Sequence, residues 1–203
     1  SNLGLLFFFK YFNFFIESFT ILSQNIGINI SQPSLSIILP VGISFYTFQT
    51  LSYTIDVYRK QLPACKDPVI FFAFVSFFPQ LVAGPIERAK NLLGQFQKTN
   101  KFNEAKAMMG FEQILWGLFK KVVIADNAGI VVNQIFENPQ NMSSISLLIG
   151  ALLFSIQIYG DFSGYSDMAI GIAKLFNIDL MINFKKPYFS RDLGEFWRRW
   201  HIS

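Results

Sequence analysis

Ile145-Ser-Leu-Leu-Ile-Gly-Ala-Leu-Leu-Phe-Ser-Ile-Gln-Ile-Tyr159 carries no charge and is the cleanest apolar run of the chain. It leads into Gly160-Asp-Phe-Ser-Gly-Tyr-Ser-Asp167, and from Met168 to Ile178 the helical pattern resumes. Two glycines and two aspartates between apolar helices predict an unwound stretch. Backbone of that kind is tolerated at membrane depth only where it lines a cavity or is covered by protein. The stretch therefore predicts a membrane-embedded helical chain with a polar cavity inside it.

Four more apolar blocks lie upstream. Leu3 to Leu22 is close to the roughly 20 residues that span a bilayer. Its Lys10, Asn13 and Glu17 fall on one stripe, expected to face other helices rather than lipid. Ile37 to Val57 begins near Pro40 and Gly42 and carries many hydroxyls. These suit either close helix packing in a bundle or the wall of a substrate cavity. Val69 to Ala83 makes about 22 Å of helix, short of the roughly 30 Å hydrocarbon core. Pro79, Gly84 and Pro85 interrupt it, so a re-entrant segment is expected. Ala107 to Phe136 holds Lys120 and Lys121 at its middle. Either it is two helices, the first lying at the interface, or the lysines face a wet cavity.

Composition agrees with a membrane chain. Of 203 residues, 52% are hydrophobic and 15% charged, against about 25% charged in soluble domains. Twenty-five phenylalanines exceed what one soluble core of this length can hide. The net charge of +4 is too small and dispersed for a nucleic-acid binder. One cysteine, Cys65, rules out an internal disulfide. The chain opens inside an apolar block without a basic leader and closes inside a helix-like pattern. It is expected to be a piece of a longer protein, cut at both ends.

Loop charges predict a topology. Residues 23–36 and 138–144 are uncharged, while 59–66, 87–106 and 174–191 are positive. The positive-inside rule puts the last three in the cytoplasm. Four crossings and one re-entrant segment satisfy every loop.

The tail differs in kind. From Asn183 to Ser203 it is aromatic and basic. Asp192 with Glu195 reads as an N-cap and capping box. On the helix expected to follow, Leu193, Phe196, Trp197 and Trp200 form a stripe with Arg198 and Arg199 opposite. His201, the one histidine, lies at the stripe's edge, about 80° from Leu193. Such a helix lies at the membrane interface or inserts with its charges in a cavity. The arginines suit membrane anchoring, lipid phosphates or the phosphates of an acyl-carrying cofactor. His201 suits proton transfer near neutral pH or a structural place.

No G-x-S-x-G nucleophile elbow is present, since Ser163 and Ser166 do not match it. No P-loop or dinucleotide fingerprint occurs. One His, one Cys and no clustered carboxylates beyond Asp161 and Asp167 give no metal site. The sequence argues against a Ser–His–Asp or metal hydrolase.

Three long stretches carry a resemblance. They are Leu39 to Arg59 followed by Phe78-Pro-Gln-Leu-Val-Ala-Gly-Pro-Ile86; Phe119-Lys-Lys-Val-Val-Ile-Ala-Asp-Asn127; and Asp161 to Gly171 continuing to Glu195-Phe-Trp-Arg-Arg-Trp-His-Ile-Ser203. In order and content they resemble the membrane-bound O-acyltransferase (MBOAT) family, in its alginate O-acetyltransferase-like branch. Peptidoglycan O-acetyltransferases and the D-alanyl transfer protein of teichoic acid modification are relatives.

The resemblance implies an all-α, polytopic transmembrane helical bundle with re-entrant and interfacial helices, of which residues 1–203 form part of a single domain. It implies a multi-pass enzyme of the bacterial inner membrane, moving an acyl group, in the first instance acetyl, to a hydroxyl of a cell-envelope polysaccharide such as an alginate-like polymer or peptidoglycan. His201 matches one of two family histidines. The other lies in a later segment, beyond Ser203. Asp161, Ser163, Tyr165, Asp167, Trp197, Arg198, Arg199 and Trp200 are the expected cavity residues. No bound cofactor is implied. The implied partners are membrane lipid, an acyl donor such as acetyl-CoA, and the polysaccharide or a partner acetyltransferase, with no nucleic acid. D-alanyl transfer to teichoic acid, and a transporter or flippase of acyl or lipid-linked cargo, are the alternatives.

Overall fold

A computed structural model describes residues 2–27, 40, 42–81, 84, 85, 87–98 and 100–203. The regular elements among the described residues are all helices, without strands. The chain divides into two compact units, Ser1–Lys66 and Asp67–Ser203.

In the first unit α1 (Asn2–Leu6) passes through a π-helical turn (Phe7–Tyr11) into α2 (Phe12–Asn25). The helix α3 (Ile43–Tyr58) starts from Gly42, whose φ of 75° is open to glycine at little cost. Residues 28–36 of the uncharged loop and Ile37, Ile38 and Leu39 of the second block lie outside the described residues. Lys10 donates to Ser44 of α3 at 3.3 Å, so one member of the polar stripe does face another helix, while Glu17 is exposed. The hydroxyls of Thr50 and Thr54 bond carbonyls one turn back on their own helix. Each hydroxyl thus has a partner within its own helix.

The second unit opens with α4 (Pro68–Val75), capped by Asp67. Eight residues make about 12 Å, too short to cross a bilayer. A 3-10 turn (Phe78–Gln80) breaks the run, and Gln80 donates to the Phe74 carbonyl at 3.2 Å. The chain then enters α5 (Ala89–Phe96). This helix grips a later extended segment: Gln95 exchanges two hydrogen bonds of 2.8 Å with the backbone of Asp179, and Glu87 accepts from the Met181 amide. Burial pushes the Glu87 carboxyl up from its ordinary range.

α6 (Glu104–Leu118), a π-helical segment (Phe119–Ala125) and α7 (Asp126–Glu137) form one continuous rod. It packs along α8 (Ser144–Leu175), 32 residues or about 48 Å long. The expectation of an unwound stretch at 160–167 is corrected here, because α8 runs through it unbroken. The glycines serve helix contact instead. A Cβ on Gly171 would stand 2.6 Å from the Gly110 carbonyl oxygen, and one on Gly117 would stand 2.5 Å from that of Gly164. The two pairs are seven residues apart on both helices (117 − 110 = 171 − 164), which fixes an antiparallel register with backbones touching. Retaining helical hydrogen bonds also leaves no amide unpaired where water is scarce.

Two described helices are long and apolar enough to cross a membrane, Leu3–Asn25 and Ser144–Leu175. Most large apolar side chains of α8 before Tyr159, including Ile145, Leu148 and Leu152, are exposed.

The tail departs from expectation at its end. Asp192 caps α9 (Leu193–Arg199), accepting from Glu195 N at 2.7 Å, but the Glu195 carboxylate accepts from the Arg191 amide rather than from that of the cap residue. The Arg191 contacts hold the Glu195 carboxyl at about 2. The helix stops at Arg199; Trp200 is extended and His201 takes a φ of 47°. His201 is therefore not on the helical stripe. Asn183 explains the stop: its carbonyl accepts from Ile202 N at 3.0 Å, and Lys185 N donates to the Arg199 carbonyl at 2.9 Å. These bonds turn the chain flat against the 183–185 segment.

Candidate active site

A cavity of about 570 Å³ lies where the π-helical segment, α8 and the tail meet. Trp116 and Lys120 line one wall, and Tyr159, Ser163, Ser166, Asp167 and Ile170 of α8 another. Residues 182–186 and Arg199 close it.

Lys120 forms its floor and is 8% exposed. A lysine so buried needs a partner. Its ammonium contacts the Asp167 carboxylate, donates to Ser163 Oγ at 3.0 Å and lies 5.9 Å from the centre of the Tyr159 ring. Asp167 also accepts from Gln113 Nε2 at 3.0 Å, and Gln113 Oε1 accepts from Lys174 at 2.8 Å. A hydrogen-bonded chain thus runs from Ser163 to Lys174 between two apolar helices. Of the two readings of the lysine pair, the cavity holds for Lys120, on a continuous rod. Lys121 points elsewhere and bridges Asp126 and Asp161, both at 2.7 Å.

Asn183 ties the tail to this site. Buried to 1% exposure, it donates to Ser166 Oγ and accepts from Ser203 Oγ at 2.8 Å and Ser203 N at 3.3 Å. The Trp200-His201-Ile202-Ser203 segment is thereby held near α8. Trp200 packs edge-on to Phe184 at 5.1 Å and stacks on Phe196 at 5.6 Å. His201 lies 5.0 Å from the Phe162 ring, and Phe162 lies 5.1 Å from Phe184. Phe184 lines the cavity while His201 does not. Burial holds the His201 imidazole below its ordinary value of 6.5, which favours its neutral form.

Of the expected cavity residues, Ser163, Asp167 and Arg199 line the cavity. Asp161 is exposed and paired with Lys121 outside it. Tyr165 and Arg198 are absent from its wall, and Trp197 is 66% exposed. Trp200 stands with His201 in the aromatic cluster. Lys120, which the sequence left between a cavity and an interfacial helix, also lines it, as do Tyr159, Asn183, Lys185 and Lys186, which were not among the expected site residues. One signal for Lys120 was in the sequence: a basic residue inside one long apolar block is complementary to Asp167 inside another.

The family profile of the membrane-bound O-acyltransferases matches residues 60–203. The chain is 43% identical over its full length to the "probable alginate O-acetylase" of Pseudomonas putida, covering 41% of that protein. It is 39% identical to the peptidoglycan O-acetyltransferase of Helicobacter pylori, again over its full length and 42% of the relative. Against the teichoic acid D-alanyltransferase of Bacillus subtilis it is 28% identical, over 85% of this chain and 44% of the relative. The chain thus spans about two fifths of the length of these relatives.

Proposed function

The chain belongs to the membrane-bound O-acyltransferase family, and from that premise we propose that the whole protein moves an acetyl group onto a hydroxyl of a cell-envelope polysaccharide. The observation that carries this reading is the placement of His201, a neutral imidazole held at fixed backbone geometry by the Asn183 clamp. A neutral imidazole can take the proton of an attacking hydroxyl. The hydroxyl oxygen bonds the acyl carbon of a thioester such as acetyl-CoA, the carbon–sulfur bond breaks, and the proton passes from the imidazole to the departing thiolate. His201 shares this work with the family histidine expected beyond Ser203.

We place the protein in the bacterial inner membrane as a multi-pass bundle, with the donor met on the cytoplasmic side. The acceptor polymer lies outside, so the acyl group either crosses through this protein or passes to a partner acetyltransferase. The identity to the alginate and peptidoglycan proteins exceeds that to the D-alanyltransferase, which favours acetyl over D-alanyl.

The test is full-length protein in proteoliposomes, given radiolabelled acetyl-CoA and alginate oligosaccharide or peptidoglycan. Alkali-labile label on the polymer is expected. Label that crosses the bilayer without forming an ester would replace this reading with a transporter.

A further inference from the structure

We propose that the cavity between Lys120 and the 185–186 loop is a binding site for a phosphate-bearing ligand, set apart from His201 by the Phe162–Phe184 pair. Four cations line it: Lys120, Lys185, Lys186 and Arg199. Two are already matched, Lys120 by Asp167 and Arg199 by Glu195 at 2.5 Å. Among the described residues neither Lys185 nor Lys186 has a carboxylate partner. The cavity therefore presents two uncompensated positive charges at its mouth, above a floor whose charge is balanced.

The backbone holds them there. Lys185 is fixed through its amide to the Arg199 carbonyl. Lys186 sits at φ 46° and ψ 61°, the left-handed region a lysine rarely adopts, just before Pro187. A non-glycine residue kept in that region is held by its surroundings, and such residues gather at ligand sites. Arg199 Nη1 reaches back toward the Lys186 carbonyl at 3.5 Å, keeping the third cation beside the first two.

Paired cations at the rim of a low-dielectric pocket favour a dianionic group. The volume of about 570 Å³ falls within the roughly 300–1,000 Å³ usual for small-molecule sites, so the ligand carries more than a bare phosphate. Two sources share this chemistry: a soluble phosphorylated acyl carrier, or the headgroup of an anionic phospholipid. The first depends on the acyl-transfer reading; the second does not.

The experiment uses full-length protein in neutral detergent, with Lys185→Ala/Lys186→Ala and the charge-keeping Lys185→Arg/Lys186→Arg. One arm titrates free coenzyme A by calorimetry at two salt concentrations. The other measures retained phosphatidylglycerol by native mass spectrometry. In one arm the alanine pair is expected to lose at least about tenfold in affinity or occupancy, with the arginine pair near wild type. A loss in the first arm assigns the soluble carrier, and a loss in the second assigns the headgroup. If neither arm moves in a variant that remains monodisperse, the site is not a phosphate site. Normal acetyl transfer in that variant would leave the transferase reading intact. Conversely, charge-dependent binding with no ester formed by wild type would retain this site and remove that reading.

Discussion

Lys120 and Asp167 form an ion pair across two helices whose backbones touch, one residue supplied by a π-helical segment and the other by the C-terminal half of α8. The pair fastens the helices and supplies the floor of the cavity. π-Helical insertions often mark functional sites, and here one turns Lys120 inward while Lys121 faces Asp126 and Asp161.

Removing one partner of this pair leaves a charge in a poorly solvated place. For buried pairs such a break costs about 3–5 kcal/mol, and the Lys120 and Asp167 side chains are 10% and 24% exposed. Lys120→Met and Asp167→Asn should each lower the thermal stability of full-length protein in detergent, Asp167→Asn more, because it strands the more deeply buried charge. The double variant should be more stable than the sum of the two losses allows. Additive losses would show that the pair is not coupled.

The glycine contacts reverse an ordinary rule. Gly→Ala in a helix is usually stabilising by about 1 kcal/mol. Gly164→Ala should instead destabilise by about 1–3 kcal/mol, because its Cβ would meet the Gly117 carbonyl oxygen at 2.8 Å. Gly94→Ala in α5 has nothing within 4 Å of its Cβ and should be neutral or stabilising. Melting temperatures of the two variants decide it; the same sign for both would refute the close contact.

Asn183 is predicted to act through position alone. Asn183→Ala removes the link to Ser166 and the hold on Ser203, and should lower acetyl transfer per molecule about 10²-fold, as misplacement of a reacting group does. Asn183→Asp keeps the acceptor for Ser203 and should retain more activity. Equal rates for the two variants would separate the clamp from the chemistry.

The pH profile tests His201 directly. Burial lowers its pKa from 6.5 because it disfavours the charged imidazole. A base with a depressed pKa stays active until the pH falls through that lower value, so the acid limb of kcat/KM should have its midpoint below 6.5. His201→Gln should abolish that limb and cost about 10²-fold or more with protein level unchanged. By contrast, Trp200→Ala should reduce abundance by removing a packed indole. Unchanged turnover in His201→Gln would leave the later family histidine as the base.

Topology is open to labelling. In a Cys65→Ser background, single cysteines in residues 138–144 should react with an impermeant thiol reagent in intact cells, and those in 87–106 should not. Labelling of the 87–106 segment from outside would overturn the assigned orientation.

Helical class and the aromatic, basic tail were legible because apolar block length and the Asp192 cap act locally. The interruption of the short third block was also readable, since α4 ends at Val75 and the 3-10 turn that follows holds Pro79. The Gly160–Asp167 stretch was misread because glycine has two opposite uses inside a helix, unwinding and close contact. Only the partners distinguish them, Gly117 for Gly164 and the Lys120 to Ala125 turn for Gly160, and these lie far upstream in the sequence. The end of α9 was missed for a similar reason: the bonds from Asn183 and Lys185 that stop it come from outside the helix. Lys185 and Lys186 looked like ordinary loop charges until the fold set them at a cavity mouth.

The matched spacing of the glycine pairs also constrains how this region can vary in length. One residue inserted between Gly110 and Gly117 would swing the second glycine by about 100° around the helix and bring a side chain against the Gly164 backbone. Lys120 would rotate with it, away from Asp167. A compensating insertion between Gly164 and Asp167 would restore the packing register without returning Lys120 to its partner. Insertions and deletions should therefore be rejected between these positions and accepted in the 138–143 connection, where nothing has to keep step.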